Sequence, residues 1–274
     1  MQNTTERYRA GMPQLSFTGL SENWLLKECG HRHWEALAAH AGRATPDFTD
    51  DHGGRAYAAF TAIRLRAYAF DAVREKDDFE IHTALCRTGP VRHFSAHRIA
   101  RGGESIAEVS MSSTLVTRSE ARNNRSVARA MLAALAGPVS PMPDEALAMT
   151  QAGKRLRAGD PASCEGLGPA GHEAARFLPC PNNDFNGADL LYFASFQAFV
   201  DRAEWQRHRF AEPPVIASRS LHFHGNVNVG DSLSVHVVGE RESAKGIVHW
   251  SEVRRGSDNQ KIADVVTEKR WRQR

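Results

Sequence analysis

Two stretches of this chain repeat one order of elements, an apolar segment at helical spacing followed by segments that alternate at the period of a strand. In the first, Ser21 after Leu20 is placed to cap a helix. Trp24, Leu25, Cys29, Trp34, Leu37, Ala38 and Ala41 then follow at helical spacing, with Gly30 weakening the middle. A polar turn around Asp50, Asp51, Gly53 and Gly54 leads into a strand from Tyr57 to Leu65. Phe79, Ile81, Thr83 and Leu85, then Ala107, Val109 and Met111, alternate with their neighbours as strands buried on one face do. In the second stretch Asp184 or Asn186 is placed to cap a helix over 188–200. Only Asp189, Ser195 and Gln197 are clearly polar there, so this helix must be buried on most sides. Strands are expected again over 215–224, 233–238, 247–254 and 262–271.

An antiparallel sheet wrapped round one apolar helix is the hot-dog arrangement, and two in one chain make a double hot dog. This α+β fold is the expectation, with two unrelated α+β domains as the alternative. Pairing two halves also removes exposed sheet edges, a physical reason for duplication. At roughly 150 residues per domain, 274 residues make about one large or two small domains. The expected parts are an N-terminal hot dog over 1–136, a connector over 137–172 and a C-terminal hot dog over 173–274. From about 119 the composition shifts to Ala, Arg, Gly and Pro, with Pro138, Pro141, Pro143, Pro161 and Pro169 as breakers and short helices such as one over 127–136.

Thirty-five Lys and Arg against 32 Asp and Glu leave a net charge of +3, unlike a chain built to neutralise many phosphates, so no nucleic-acid partner is expected. The basic end, Lys269, Arg270, Arg272 and Arg274, reads as a solvated terminus, with contact to an acidic partner as the other reading. Cys29, Cys86, Cys164 and Cys180 form no CxxC pair and the histidines no HxxxH pair, which argues against a metal site and for a reducing compartment. The start has no apolar h-region, and no run of about 18 apolar residues occurs. A soluble cytoplasmic protein with no membrane partner is expected.

The segment from Asn182 to Phe193 resembles the helix-start motif of hot-dog thioesterases, where a carboxylate and amides precede a buried helix. Free amides at a helix start can hold a thioester carbonyl as it becomes an oxyanion, which makes Asp184, Asn186 and Gly187 candidate substrate-binding residues. Plain N-capping is the bland alternative. The blocks Gly11 to Leu15 and Gly19 to Glu28 with His33-Trp34, and the second from Asp184 through Phe193 to Glu204, resemble the leinamycin-type bifunctional acyltransferase/decarboxylase family. The resemblance spans both halves. It implies a double hot dog that takes a methylmalonyl group from coenzyme A onto a tyrosine hydroxyl, decarboxylates it, and passes the acyl unit to the phosphopantetheine thiol of an acyl carrier protein in polyketide-type biosynthesis.

By that resemblance the catalytic nucleophile is Tyr57, in Arg55-Ala56-Tyr57-Ala58-Ala59-Phe60. Of the other tyrosines, Tyr8 is read as preceding the repeat, Tyr192 as lying inside the buried helix and Tyr68 as further along the strand region. An aromatic at a strand start is otherwise a packing residue. Ser218, on the equivalent strand of the second half, is expected to face Tyr57 as a hydrogen-bond partner, while His222 and His224 read as a strand's wet face. No cofactor is expected beyond the coenzyme A thioester as substrate, and a homodimer is expected. The alternatives are a hot-dog acyl-CoA or acyl-carrier-protein thioesterase or dehydratase, working through Asp184 or a His with a carboxylate, and a non-catalytic hot dog that binds an acyl carrier.

Overall fold

The computed structural model describes residues 2–132, 135, 138–160, 165–171 and 173–272. The chain divides into two compact units, Met1–Met149 and Thr150–Arg274. The first holds β1 (Gln2–Arg9), β2 (Leu15–Ser16), β3 (Gly19–Leu20), α1 (Glu22–His40), β4 (Phe48–Thr49), β5 (Arg55–Ala67), β6 (Asp78–Gly89), β7 (Arg92–Arg101), β8 (Glu104–Arg118), β9 (Val127–Arg129) and the start of α2 (Asp144–Ala158). Its antiparallel sheet runs β1-β6-β7-β8-β5, with β9 beside β8 and β4 beside β5.

α1 begins where expected, with Ser21 Oγ accepting the Trp24 amide at 3.3 Å. It runs through Gly30 unbroken. Leu25, Leu26, Cys29, His33, Ala36 and Leu37 are buried along it, and that packing outweighs the cost of about 1 kcal/mol for a mid-helix glycine. The strand alternation also holds, since Phe79, Ile81, Thr83, Leu85, Ala107, Val109 and Met111 are all at most 2 % exposed. Gly19 has φ 116°, and a Cβ there would stand 2.1 Å from the Phe70 carbonyl oxygen, so the turn ahead of α1 admits only glycine.

Two expectations change in this unit. Tyr8 does not precede the fold; it lies in β1 opposite Phe79, stacked on that ring and edge-on to Trp24. The helix expected over 127–136 starts instead as β9, whose ladder with β8 overrides the helix preference of its alanine, while 133, 134 and 136 lie outside the described residues. The long helix of this region is α2.

The second unit holds the rest of α2, then β10 (Gly168–Pro169), β11 (Ala175–Phe177), α3 (Pro181–Asp184), α4 (Phe193–His208), β12 (Val215–Phe223), β13 (Leu233–Ser243), β14 (Gly246–Arg255) and β15 (Lys261–Arg270). The antiparallel sheet runs β12-β15-β14-β13, with β10 and β11 against β13. α4 starts at Phe193 rather than 188. Asn186 Oδ1 takes the amides of Ala188 and Leu190, and Asp189 adopts a left-handed φ of 59°, so the chain turns before it coils.

Phe196 then meets Phe223 edge-on at 5.2 Å, and Phe199 packs on Phe177 at 5.2 Å. The opposite face of β12 lies under α2. A Cβ on Gly153 would stand 2.8 Å from His222 Nδ1, so the close approach of α2 to β12 depends on that glycine. Each unit is thus one long helix and an antiparallel sheet, and among the described residues no helix is long and apolar enough to cross a membrane.

Candidate functional site

The loop ahead of α4 gathers Asp184, Asn186 and Gly187. Asp184 is buried, and its Oδ2 accepts the Cys180 amide at 2.8 Å while its carbonyl accepts the Tyr192 amide at 2.7 Å and Ser195 Oγ at 3.1 Å. Asn186 Oδ1 accepts the amides of Ala188 at 3.0 Å and Leu190 at 3.1 Å. Gly187 is exposed, with open space where a Cβ would stand. Asn226, in the loop after β12, ties the far end down, its Oδ1 accepting the Leu191 amide at 3.1 Å. These side chains shape the loop, and α4 starts behind it at Tyr192, which gives no side-chain cap. Its first amides therefore depend on other acceptors.

Tyr57 lies in the first unit on β5. Ala56 beside it is buried among Leu37, Phe48 and Leu115, so strand alternation turns Tyr57 to the face away from α1. Among the described residues its phenol makes no hydrogen bond. Tyr8 and Tyr68 differ: Tyr8 donates to Glu28 at 2.6 Å and Tyr68 to Glu108 at 2.9 Å. Burial and the adjoining carboxylate push both phenols above the ordinary range. Tyr192 is not inside the helix but is its half-buried N-cap residue. Ser218 sits half-buried at a bulge of β12 and donates to Glu268 at 3.1 Å.

The sequence reading missed the buried polar clusters. In the first unit His33 of α1 bridges Ser95 at 2.7 Å and Ser113 at 2.8 Å, and Ser95 continues to His97 at 2.8 Å and on to Thr83 at 2.9 Å. Burial holds His33 well below the usual histidine range, His97 at about 3 and His93 at about 4. In the second unit Asp201 and Glu204 of α4 share Lys269 at 2.9 and 2.6 Å, Arg219 reaches Asp201 at 2.7 Å, and His249 reaches Glu204 at 2.9 Å. Burial opposes charge on Asp201, but Arg219 and Lys269 outweigh it and hold the carboxyl far below its usual range. One signal was present: Ser95-x-His97 and His249-x-Ser251 put polar groups at alternate positions along strands, on a face that carries buried residues.

His222 and His224 overturn the wet-face reading. His222 is 2 % exposed, and His224 Nε2 is bonded at 2.7 Å to Asp264, whose side chain is fully buried. Asp264 Oδ1 also accepts Trp250 Nε1 at 2.9 Å and Lys261 Nζ at 3.2 Å. Burial alone would raise the Asp264 pKa; the bonds from His224 and Trp250 and the charge of Lys261 outweigh it and hold the group ionised.

No protein-family model matches the chain, and no curated protein matches it. Solved structures do. An acyl-ACP thioesterase from Bacteroides thetaiotaomicron superimposes with a TM-score of 0.63 at 9 % identity, over 97 % of this chain and 97 % of its own. The 12:0-ACP thioesterase of Umbellularia californica gives 0.64 at 12 % identity, over 98 % and 97 %. A structure from Lactobacillus plantarum assigned as an oleoyl thioesterase gives 0.69 at 12 %, over 98 % and 95 %. The chain has the hot-dog fold, of α+β class, with a long helix and an antiparallel sheet in each half.

Proposed function

We propose that the chain acts on the thioester of an acyl group carried by coenzyme A or by the phosphopantetheine arm of an acyl carrier protein, and releases that group by hydrolysis. The observation that carries this is the match over nearly the whole chain to structures named as acyl-ACP and 12:0-ACP thioesterases. The local chemistry agrees. Attack on a thioester carbonyl develops negative charge on oxygen, and the positive end of the α4 dipole, behind the Asp184 loop, favours such charge.

A second reading has its own observation. Tyr8 and Tyr68 are tied to carboxylates and Tyr57 is not, so Tyr57 is the phenol free to be acylated. In this reading the Tyr57 oxygen bonds to the acyl carbon, the coenzyme A thiol leaves, and the group passes to an acyl-carrier-protein thiol. Loss of carbon dioxide from a malonyl or methylmalonyl ester is the further step that the leinamycin-type resemblance implies. The intact mass of the chain after mixing with a saturated acyl-CoA, malonyl-CoA and methylmalonyl-CoA, with free thiol followed in parallel, separates the two. Hydrolysis gives free thiol and an unchanged mass, whereas the Tyr57 route gives an added acyl mass that Tyr57→Phe abolishes. Neither thiol nor adduct from any of them would overturn both.

A further inference from the structure

α4 sorts its charged residues by face. Its two carboxylates turn towards the sheet, where Lys269 bridges Asp201 and Glu204, Arg219 holds Asp201 and His249 holds Glu204. The residues it exposes are Arg202, Trp205, Gln206 and Arg207, with Arg209 exposed at the C-cap, and none of them is acidic. Arg202, Trp205 and Arg209 stand at i, i+3 and i+7, so they form one stripe along the helix. Trp205 is 49 % exposed, and among the described residues neither arginine beside it pairs with a carboxylate; Arg202 rests only on the Phe199 ring, at 5.5 Å. The helix dipole accounts for basic residues in a last turn, but not for Arg202 in mid-helix or for a half-open indole. Arg209 takes a left-handed φ of 43°, where glycine is the unstrained residue, so the backbone alone does not favour an arginine there. The basic end of the chain joins this end of the helix: Trp271, between Arg270 and Arg272, meets Phe210 edge-on at 5.6 Å, and Phe210 stacks on His208 at 4.8 Å.

We propose that this face of α4 is the docking surface for an acidic protein, the carrier that presents the acyl group, a statement that rests on the thioester reading above. Arginine and tryptophan are the residues that interfaces concentrate at their energetic centres. Exposed arginines without carboxylates complement an acidic face and steer it into contact. The surface is the outer side of a helix, whereas the nucleotide of coenzyme A would need a concave site, so the occupant is a protein face. The reach agrees. Arg202 follows Tyr192, the N-cap residue, by ten positions, about 15 Å of helix. A phosphopantetheine arm has about thirteen bonds between phosphorus and sulfur, and an extended chain covers about 3.5 Å for every three, so the arm spans about 15 Å. A carrier seated on Arg202 and Trp205 has the reach to bring its thioester to the start of α4, where the helix dipole favours the developing oxyanion. Docking and chemistry then share one helix.

The test is the charge reversal Arg202→Glu with Arg209→Glu. Trp205→Ala is a second variant, and Arg155→Glu with Arg157→Glu, both exposed on α2, is a control of equal net charge. Thiol release is measured from dodecanoyl-CoA and from dodecanoyl on an acidic acyl carrier protein, at low salt and at about 0.3 M, together with thermal melting. The α4 reversal should melt within about 3 °C of wild type. It should raise KM for the carrier-bound substrate about tenfold or more and flatten its salt dependence, with the constants for dodecanoyl-CoA within about twofold. Trp205→Ala should raise the same KM, and the control should leave it unchanged. An unchanged KM for the carrier-bound substrate in the folded reversal overturns the docking surface and leaves the thioester reading standing. Equal rises for both substrates would assign the arginines to the nucleotide end of coenzyme A, and release from dodecanoyl-CoA alone would leave no carrier to dock; either overturns the proposal. If the reversal melts far below wild type, Trp205→Ala decides in its place. If the wild-type chain releases no thiol from either substrate, that reading fails by itself and binding judges the surface. A fluorescently labelled holo-carrier should then bind saturably, and about tenfold more weakly to the α4 reversal; absent or unaltered binding overturns the proposal.

Discussion

A phenol that donates to a carboxylate resists losing its proton, and this separates Tyr8 and Tyr68 from Tyr57. Tyr57→Phe removes one oxygen and leaves the ring to pack. Stability should change by no more than about 0.5 kcal/mol in urea unfolding, while any acyl adduct on the chain disappears. An adduct that persists in the variant would place the acyl group elsewhere. At this scale the polar turn around Asp184 and Asn186 ahead of a buried helix was legible, though neither residue caps α4, whose N-cap residue is Tyr192. His224 was not, because its partner Asp264 stands 40 residues away along the chain and is brought beside it only by the β12–β15 register. Residue spacing carries no record of such a pair.

Elements show the same division. Ser21 caps α1 by a local bond that sequence spacing expresses directly. The start of α4 was misplaced because side-chain bonds from Asn186 to the backbone compete with helix formation just where apolar periodicity suggests a helix. α4 is held by charge as well as by its aromatic contacts, since Lys269 of β15 bridges Asp201 and Glu204, one turn apart on the helix. Lys269→Met keeps the stem and deletes the charge, leaving two carboxylates short of a partner. The expected loss is about 3–5 kcal/mol in urea unfolding, and a loss below about 1 kcal/mol would show that Arg219 and His249 suffice. Gly153→Ala belongs here too. Its Cβ would press on His222 and lift α2 from β12, so the variant should melt below wild type even though alanine is the better helix former.

For the whole molecule, histidines buried as neutral rings set the response to acid. The folded-state pKa values of His93 and His97, about 4 and about 3, lie below the ordinary 6.5, and His33 is shifted the same way. Below that ordinary value the unfolded chain binds protons that the folded chain refuses, so stability is complete above pH 6.5 and falls as pH drops through the window down to the folded values. His93 alone contributes on the order of 3 kcal/mol across its window. Urea midpoints at about pH 7.5 and about pH 5 should differ clearly, with the loss starting before the carboxylates titrate. Equal midpoints would show that these rings are solvated. The two helix-and-sheet halves were legible because burial periodicity over long segments survives any detail of loops, whereas β1, Gln2-Asn3-Thr4-Thr5-Glu6-Arg7-Tyr8-Arg9, was missed because it carries no apolar alternation. The central claim is that this hot-dog chain works on acyl thioesters, and its most direct test is free-thiol release from a chain-length series of acyl-CoAs and matched acyl carrier proteins. The account predicts saturable release, far above the uncatalysed rate, for at least one acyl length. Release at the uncatalysed rate for every member, on both carriers, would contradict it.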